Sequence, residues 1–224
     1  MDLSPILISI KTATAAMLVT FLLGLCAAKF VAGMHSRYAK MLLDGILTLP
    51  LVLPPTVAGF FLLYLFGVRG AVGKFFLDFF SVKIAFSWGA TVLASTAIAF
   101  PLMYRSARGA IEQVDPTLIY AARTLGMSEW RIFRTVILPT ALPGVASGAV
   151  LAFARGLGEF GATAMIAGNI AGKTRTLPLA IYSEVSAGNM ERAWHYVSVI
   201  ITFSFLVVAL MNFFSGQEHR KKTT

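Results

Sequence analysis

Long apolar runs alternate with short polar connections along the whole chain. The runs reach the roughly 20 residues that an α-helix needs to cross the hydrocarbon core of a bilayer. This pattern predicts an all-α membrane protein with about five transmembrane helices, arranged as a single transmembrane domain over residues 1–224. The predicted spans lie at about 7–31, 42–67, 84–104, 140–161 and 196–214.

The connections between these spans differ in character. Residues 68–83 are interpreted as a polar connection, and 105–137 is a long and strongly polar stretch for so apolar a chain. For residues 162–186 two interpretations stay open, an ordinary loop or an additional short or re-entrant membrane segment.

Composition agrees with a membrane protein and excludes several other classes. Hydrophobic residues make up 57% of the chain, the mean hydropathy is +0.77, and charged residues are only 13%. The net charge of +9 does not indicate nucleic-acid binding, because the basic residues lie at the ends of the spans. Cys26 is the single cysteine, so no intrachain disulfide can form, and no cluster of residues has the spacing of a metal site.

The distribution of basic residues predicts the orientation. With the N-terminus outside and the C-terminus inside, ten basic residues fall on the cytoplasmic side and six on the other. The ten are Arg37, Lys40, Arg105, Arg108, Arg123, Arg131, Arg134, Arg220, Lys221 and Lys222. Short cytoplasmic loops carry an excess of Lys and Arg, so this orientation in a cytoplasmic (inner) membrane is favoured.

The stretch from Asp115 to Gly144 predicts two short helices separated by a glycine. Asp115 suits an N-cap, and the proline after it suits the first helical position. An apolar stripe at i, i+3, i+4 and i+7 follows, formed by Leu118, Ala121, Ala122 and Leu125. Gly126 then ends the first helix, since glycine readily adopts the left-handed conformation. Ser128 is placed to cap a second short helix that carries Trp130.

This stretch resembles the cytoplasmic coupling loop of importer-type ABC permeases. Their pattern is Glu-Ala-Ala, three residues, Gly, nine residues and Ile-x-Leu-Pro. In this chain Ala121, Ala122, Gly126, Leu138 and Pro139 stand in register, whereas Tyr120 replaces the Glu and Val136 replaces the Ile. The resemblance implies a coupling loop at 112–138 that docks an ATPase through Ala121, Ala122, Arg123, Leu125, Gly126 and Trp130. The alternative is an amphipathic loop that lies on the lipid surface.

Two segments come close to a phosphate-binding loop without matching it. Residues 167–174, AGNIAGKT, have alanine at the first glycine position, and the run ending GKF has Phe75 where a hydroxyl must bind Mg²⁺. We therefore expect this chain to bind no cofactor of its own, with ATP and Mg²⁺ held by a partner ATPase.

Three prolines interrupt the second predicted span. Pro50, Pro54 and Pro55 lie in the run LPLVLPPT, and the last two fall roughly 18–20 Å along the span, near mid-membrane. A helix broken at this depth is tolerated where it lines a cavity or is buried in protein. If the second half-helix restarts near Thr56, its N-terminus would suit an oxyanion. A simple structural kink is an equal alternative.

Arg155 and Glu159 lie four residues apart in or near the fourth predicted span. Charged residues at membrane depth usually pair with each other and face the protein interior. They are either part of the translocation path or a structural ion pair, and the second interpretation is slightly favoured.

The segments LPLVLPPTVAGF, AARTLG and FARGLGEFGAT together resemble the molybdate-type ABC transporter permease, with sulfate permeases next in similarity. The resemblance covers nearly the whole chain and implies the MetI-like importer-permease fold. It also implies a homodimer, two cytoplasmic ATPase subunits and an extracytoplasmic binding protein that delivers molybdate or tungstate. A permease for sulfate or another oxyanion is the main alternative. A membrane-embedded enzyme is less well supported, because the spans hold no polar catalytic set.

Overall fold

The computed structural model describes residues 2–221, with side chains through residue 209. In this part of the chain all regular structure is helical. The helices are α1 (Ser4–Ala32), α2 (Arg37–Val52), α3 (Pro55–Phe66), α4 (Ala71–Phe80), α5 (Trp88–Glu112), α6 (Pro116–Thr124), α7 (Glu129–Ile132), α8 (Leu138–Leu157), α9 (Gly161–Ile166), α10 (Leu177–Ser186) and α11 (Met190–Lys221), with a π-helical turn at Phe133–Ile137.

Within the described residues, three helices are long and apolar enough to cross a membrane. They are α1, the continuous stretch Glu129–Leu157, and Met190–Ala209 within α11. The pair α2 and α3, bent by 109°, would make a fourth. The remaining predicted span corresponds to α5, a helix of 25 residues rich in Ala, Ser and Thr that packs between α1 and α8. The all-α class is therefore confirmed. Each predicted span overlaps a helix or, for 42–67, the bent pair, although α5 is not among the helices apolar enough to cross a membrane.

Small residues let α1, α5 and α8 approach closely. A Cβ added to Gly24 of α1 would lie 2.8 Å from Cγ of Met103, and one added to Gly148 of α8 would lie 2.6 Å from Cβ of Ser106. Where lipid removes the hydrophobic drive between helices, such close contact and interhelical hydrogen bonds hold them together. The hydroxyls of Thr12 and Thr91, 2.9 Å apart, supply one such bond between α1 and α5.

The interpretation of residues 68–83 as a polar connection is wrong, because most of the segment forms α4, with the sequence AVGKFFLDFF. Helix α4 contains two charged residues, Lys74 and Asp78. Its exposed surface is nevertheless mainly apolar, because four phenylalanines are exposed on it. The interval 162–186 holds two helices, α9 of six residues and α10 of ten, each too short to cross a membrane alone.

Candidate coupling element and translocation path

The first helix of the predicted coupling loop, α6, has defined caps at both ends. The side chain of Asp115 accepts a hydrogen bond from the backbone N–H of Thr117 at 2.8 Å, and this bond lowers the pKa of the Asp115 carboxyl. At the other end Gly126 has φ +72°, and its N–H donates to the carbonyl of Arg123. The N–H of Met127 donates to the carbonyl of Ala122. This pair of bonds is a Schellman motif, so the predicted glycine stop is confirmed.

The second coupling helix is not a separate element. Ser128 caps α7 as predicted, by accepting a hydrogen bond from the N–H of Arg131 at 3.4 Å. However, α7 continues through the π-helical turn into α8, where the N–H of Leu138 donates to the carbonyl of Phe133, five residues back. The wider turn accommodates Pro139, which has no N–H to donate. We expected the second coupling helix to end before the fourth span. Instead α7, the π-helical turn and α8 form one continuous helix, which links α7 rigidly to the bundle.

Arg123 and Glu129 bridge the bend between α6 and α7. Nε of Arg123 donates to one carboxylate oxygen of Glu129 at 2.8 Å, and a second guanidinium nitrogen donates to the other at 3.2 Å. Arg123 thereby lowers the pKa of the Glu129 carboxyl, and Glu129 raises the pKa of the guanidinium. The family pattern has a Glu where this chain has Tyr120. Arg123 does not need that Glu, because Glu129 supplies its carboxylate partner.

Lys29 connects the end of α1 to the predicted coupling loop, residues 112–138. Its ammonium nitrogen lies 4.0 Å from the ring centroid of Trp130 and 4.3 Å from that of Phe133. The two rings stack with their centroids 6.0 Å apart. A cation held over aromatic faces at this distance is a favourable contact. Sequence analysis missed it because Lys29 and Trp130 are far apart in the chain.

The predicted docking residues do not all reach the surface. Leu125 is 79% exposed and Trp130 is 62% exposed, whereas Ala122 is only 5% exposed. Ala121, Arg123 and Gly126 are exposed. The predicted apolar stripe is therefore split, because Ala122 faces the protein while Leu118, Ala121 and Leu125 face outward.

The helix break at the prolines is present as predicted. Helix α2 continues past Pro50 and ends at Val52, and α3 begins at Pro55. Between them Leu53 and Pro54 are extended, as expected for residues that precede a proline. Thr56 lies in the first turn of α3 and is exposed. The break turns the chain by 109°, which is far more than a gentle proline kink.

Glu159 joins the end of α8 to the start of α9. Its carboxylate accepts a hydrogen bond from the N–H of Ala162 at 2.8 Å and lies 2.7 Å from a guanidinium nitrogen of Arg155. Glu159 is 1% exposed, while the Arg155 side chain is about one-third exposed. The predicted pairing of these residues is confirmed. Whether the pair also serves the path stays a hypothesis.

The structure brings the two candidate path regions together. A Cβ added to Gly161 would lie 3.0 Å from Cβ of Pro55 and 3.2 Å from the backbone nitrogen of Thr56. A Cβ added to Gly59 would lie 2.7 Å from Cα of Ala162. The starts of α3 and α9 are therefore in direct contact, and Glu159 lies two residues before that contact.

A charged network at the end of α5 was not predicted. Arg108 pairs with Asp44 and, at 3.0 Å, with Glu112, which also pairs with Lys40 at 2.7 Å. The hydroxyl of Tyr104 donates to Asp44 at 3.0 Å. The network fastens the start of α2 to the end of α5.

Neither near-match to a phosphate loop has the required surroundings. In the segment 167–174 the buried Thr174 hydroxyl accepts from the N–H of Ile170 at 3.0 Å and donates to the carbonyl of Gly168 at 3.3 Å, so it serves the loop's own turn. The segment 67–75 covers the turn after α3 and the first half of α4. Neither follows a strand in the described residues, as a phosphate loop would.

These features define a multi-span helical membrane protein with an amphipathic helix–glycine–helix element at one end of the bundle. The chain belongs to the family of binding-protein-dependent transport system inner membrane components, which it matches over residues 14–217. The resemblance to ABC importer permeases is thus confirmed.

Individual relatives align with most of the chain. The molybdenum transport system permease protein ModB of Haemophilus influenzae is 41% identical over 99% of this chain and 96% of its own length. The ModB of Escherichia coli is 48% identical over 83% of this chain and 81% of its own length.

Among solved structures, the MetNI methionine ABC transporter matches with a TM-score of 0.68 at 18% identity, covering 94% of each chain. A bacterial ABC transporter that imports alginate matches with a TM-score of 0.72 at 15% identity, over 97% of this chain and 79% of its own. The two structures confirm the MetI-like fold.

Proposed function

We propose that this chain is the membrane-spanning permease subunit of an ABC importer that moves molybdate, or the similar tungstate, across the cytoplasmic membrane. The observation that carries the proposal is the identity of 41–48% to permeases named for molybdenum transport, over most of the chain. A permease for sulfate or another oxyanion is the second candidate, since it would share the same coarse features.

The energy for transport comes, in this proposal, from partner subunits. ATP and Mg²⁺ are bound by two cytoplasmic ATPases, and this chain carries no catalytic site of its own. The outward-facing residues Leu118, Ala121 and Leu125 of the coupling element form the docking face, with Arg123 at its rim. Each chain has one such element, so a homodimer is the simplest closed assembly that holds two ATPases. An extracytoplasmic binding protein delivers the anion.

The arrangement of the bundle supports an external N-terminus and an internal C-terminus. The end of α1 contacts the coupling element through Lys29 and Trp130. At the opposite end, the hydroxyl of Tyr196 donates to the carbonyl of Asp2 at 3.0 Å, so α11 starts beside the N-terminus. If the coupling element meets ATPases in the cytoplasm, the N-terminus lies outside and α11 runs inward. The basic tail, whose side chains lie outside the described residues, would then be cytoplasmic.

As part of this proposal, we place the anion path beside the contact between the starts of α3 and α9. The break at Pro54 and Pro55 frees the first turn of α3, and helix N-termini favour anions. Thr56 is exposed in this turn and supplies a hydroxyl. Arg155 and Glu159 lie next to this region, where the carboxylate fixes the start of α9 and keeps the guanidinium paired.

The test is reconstitution of the permease in liposomes with its ATPase and an anion-binding protein. We expect molybdate and tungstate to stimulate ATP hydrolysis and to compete for uptake, and sulfate to do neither at equal concentration. Stimulation by sulfate alone would favour the second candidate. An ATPase variant unable to hydrolyse ATP is the control for passive leakage. Turnover of a substrate by the permease alone would support a membrane-embedded enzyme instead.

A further inference from the structure

The helix α4 presents a face of aromatic rings that the described part of the chain leaves uncovered. Phe75, Phe76, Phe79 and Phe80 occupy positions i, i+1, i+4 and i+5, and Phe79 is 74% exposed. The rings contact one another at tilted angles, with centroids 4.8 Å apart for Phe75 and Phe79, and 5.6 Å for Phe76 and Phe80. An exposed apolar patch of this kind marks an interaction surface.

The charged residues of α4 lie on a different face. At about 100° per residue, the four rings occupy about 140° of the helix circumference, and Lys74 and Asp78 lie outside that arc. Gly73 and Leu77, which are more buried, form a third face. An apolar arc beside a charged one is typical of helices that lie flat in a membrane surface, with Phe or Leu on the inner side.

Close backbone contact fixes α4 against the end of α3. A Cβ added to Gly70 would overlap the carbonyl oxygen of Tyr64, and one added to Gly73 would overlap that of Gly67. The helix is therefore held at the end of a membrane-crossing element, where the chain leaves α3 and before it enters α5. Helix α3 also exposes apolar side chains, among them Phe60 and Phe61.

The charge of this segment also matches a lipid surface. Arg69, Lys74 and Lys83 are exposed, against one acidic residue, Asp78. Basic residues near a membrane surface are attracted by anionic headgroups. A second copy of the chain would bring these cations towards the same cations of its partner, whereas lipid phosphates neutralise them.

We propose that α4 is an interfacial anchor, whose phenylalanine face lies at the boundary between the headgroups and the acyl chains. Lys74 then points to the headgroups of the leaflet in which α3 ends and α5 begins. The anchor fixes the depth of the α3–α5 connection, and hence of the break at the other end of α3. This inference rests on the chain being a membrane protein and does not depend on which anion it carries.

Spin-label accessibility in liposomes tests the proposal. The full-length chain, in a Cys26→Ser background, receives one nitroxide at Phe79→Cys or, as matched control, at Asp78→Cys. Both sites are exposed and adjacent, so labelling at either leaves the packing on α3 intact. The chain is reconstituted in phosphatidylethanolamine and phosphatidylglycerol. Collisions are measured with oxygen, which enters the bilayer, and with a neutral nickel chelate, which stays in water.

We expect the ratio of oxygen to nickel collisions to be several-fold higher at position 79 than at position 78, and the label at Phe80→Cys to behave like that at 79. Equal access of nickel to both positions would place α4 in water and overturn the proposal. Protection of position 79 from both reagents would show that protein, either a second copy or a delivery partner, covers the face. That result would overturn it as well.

Discussion

Arg123 and Glu129 face each other across the bend at Gly126 and share two hydrogen bonds, of 2.8 and 3.2 Å. One residue belongs to α6 and the other to α7, which runs on into α8. The pair therefore bridges α6, the proposed docking helix, to the continuous helix of α7 and α8. Both side chains are exposed, and such pairs contribute little to global stability. Their effect should lie in coupling.

Reversing either charge of this pair should weaken coupling, and reversing both should restore it. We expect Arg123→Glu or Glu129→Arg to lower the transport-linked ATPase rate several-fold without changing the thermal unfolding temperature. The double variant should recover most of the loss, because the attraction is rebuilt with opposite polarity. The difference should shrink at high salt, where exposed charges are screened. The measurement is ATPase activity of the reconstituted complex.

Arg134→Glu is the matched control, since Arg134 is also exposed on the same element. It changes the net charge equally but leaves the pair intact, so its effect should be small. If the double variant were no better than the singles, then Arg123 or Glu129 would act by contacting the ATPase directly.

Ala121 and Ala122 are adjacent, but the first is exposed and the second is buried. Introducing Glu at each position should therefore distinguish an effect on ATPase docking from an effect on folding. Ala121 is exposed, so Ala121→Glu should abolish retention of the ATPase in a pull-down while the membrane domain unfolds at its usual temperature. Ala122 is 5% exposed, so Ala122→Glu buries a carboxylate and should lower the unfolding temperature too. Full retention of the ATPase by Ala121→Glu would show that this face is not the docking surface.

Local features of this protein could be predicted from its sequence, because each depends on residues close in the chain. The Asp115 cap, the glycine stop at Gly126 and the break at Pro54 follow from backbone preferences of individual residues. The pairing of Arg155 with Glu159 follows from one turn of helix. Each of these predictions needed no knowledge of how the helices pack.

Features that depend on distant residues could not be predicted in this way. The contact of Lys29 with Trp130 and the pairing of Asp44 with Arg108 join elements about 60 residues or more apart in the chain. Asp44, an acidic residue within a predicted span, was nevertheless a usable signal, because such residues usually have a partner. The burial of Ala122 depends on the rotation of α6 against the bundle, which an apolar stripe alone does not determine.

The conformation of Gly126 gives a third prediction. Its φ is +72°, and no atom lies within 4 Å of an added Cβ, so the backbone and not space limits substitution. Gly126→Val should cost at least roughly 1–2 kcal/mol in this conformation, whereas Gly126→Asn should cost less. We expect the valine variant to lose ATPase stimulation and the asparagine variant to keep most of it. Equal loss in both would indicate that the ATPase contacts the glycine itself.

Arg155 and Glu159 should behave as a coupled pair in unfolding experiments. Arg155→Met leaves the buried carboxylate of Glu159 without its counter-charge, and a loss of about 3–5 kcal/mol is typical for a fully buried pair. Since Arg155 is partly exposed, the loss here should be smaller. Adding Glu159→Gln should recover stability, because the amide oxygen can still accept from the N–H of Ala162. Thermal unfolding in detergent checks this, and simple additivity of the two losses would contradict the coupling.

Substitution of Thr56 distinguishes an anion path at the helix break from a purely structural kink. It is exposed in the first turn of α3, two residues after Pro54, and the start of α9 lies against the same turn. If the anion passes here, the indole of Thr56→Trp should obstruct it, so molybdate uptake should fall at least tenfold while the unfolding temperature and ATPase binding stay unchanged. Phe60→Trp, one turn further along α3 and also exposed, places the same indole away from the break and should transport normally. Uptake of radiolabelled molybdate into proteoliposomes measures both. Normal uptake by Thr56→Trp would mean that Pro54 and Pro55 only redirect the helix, and the path would have to lie elsewhere in the bundle.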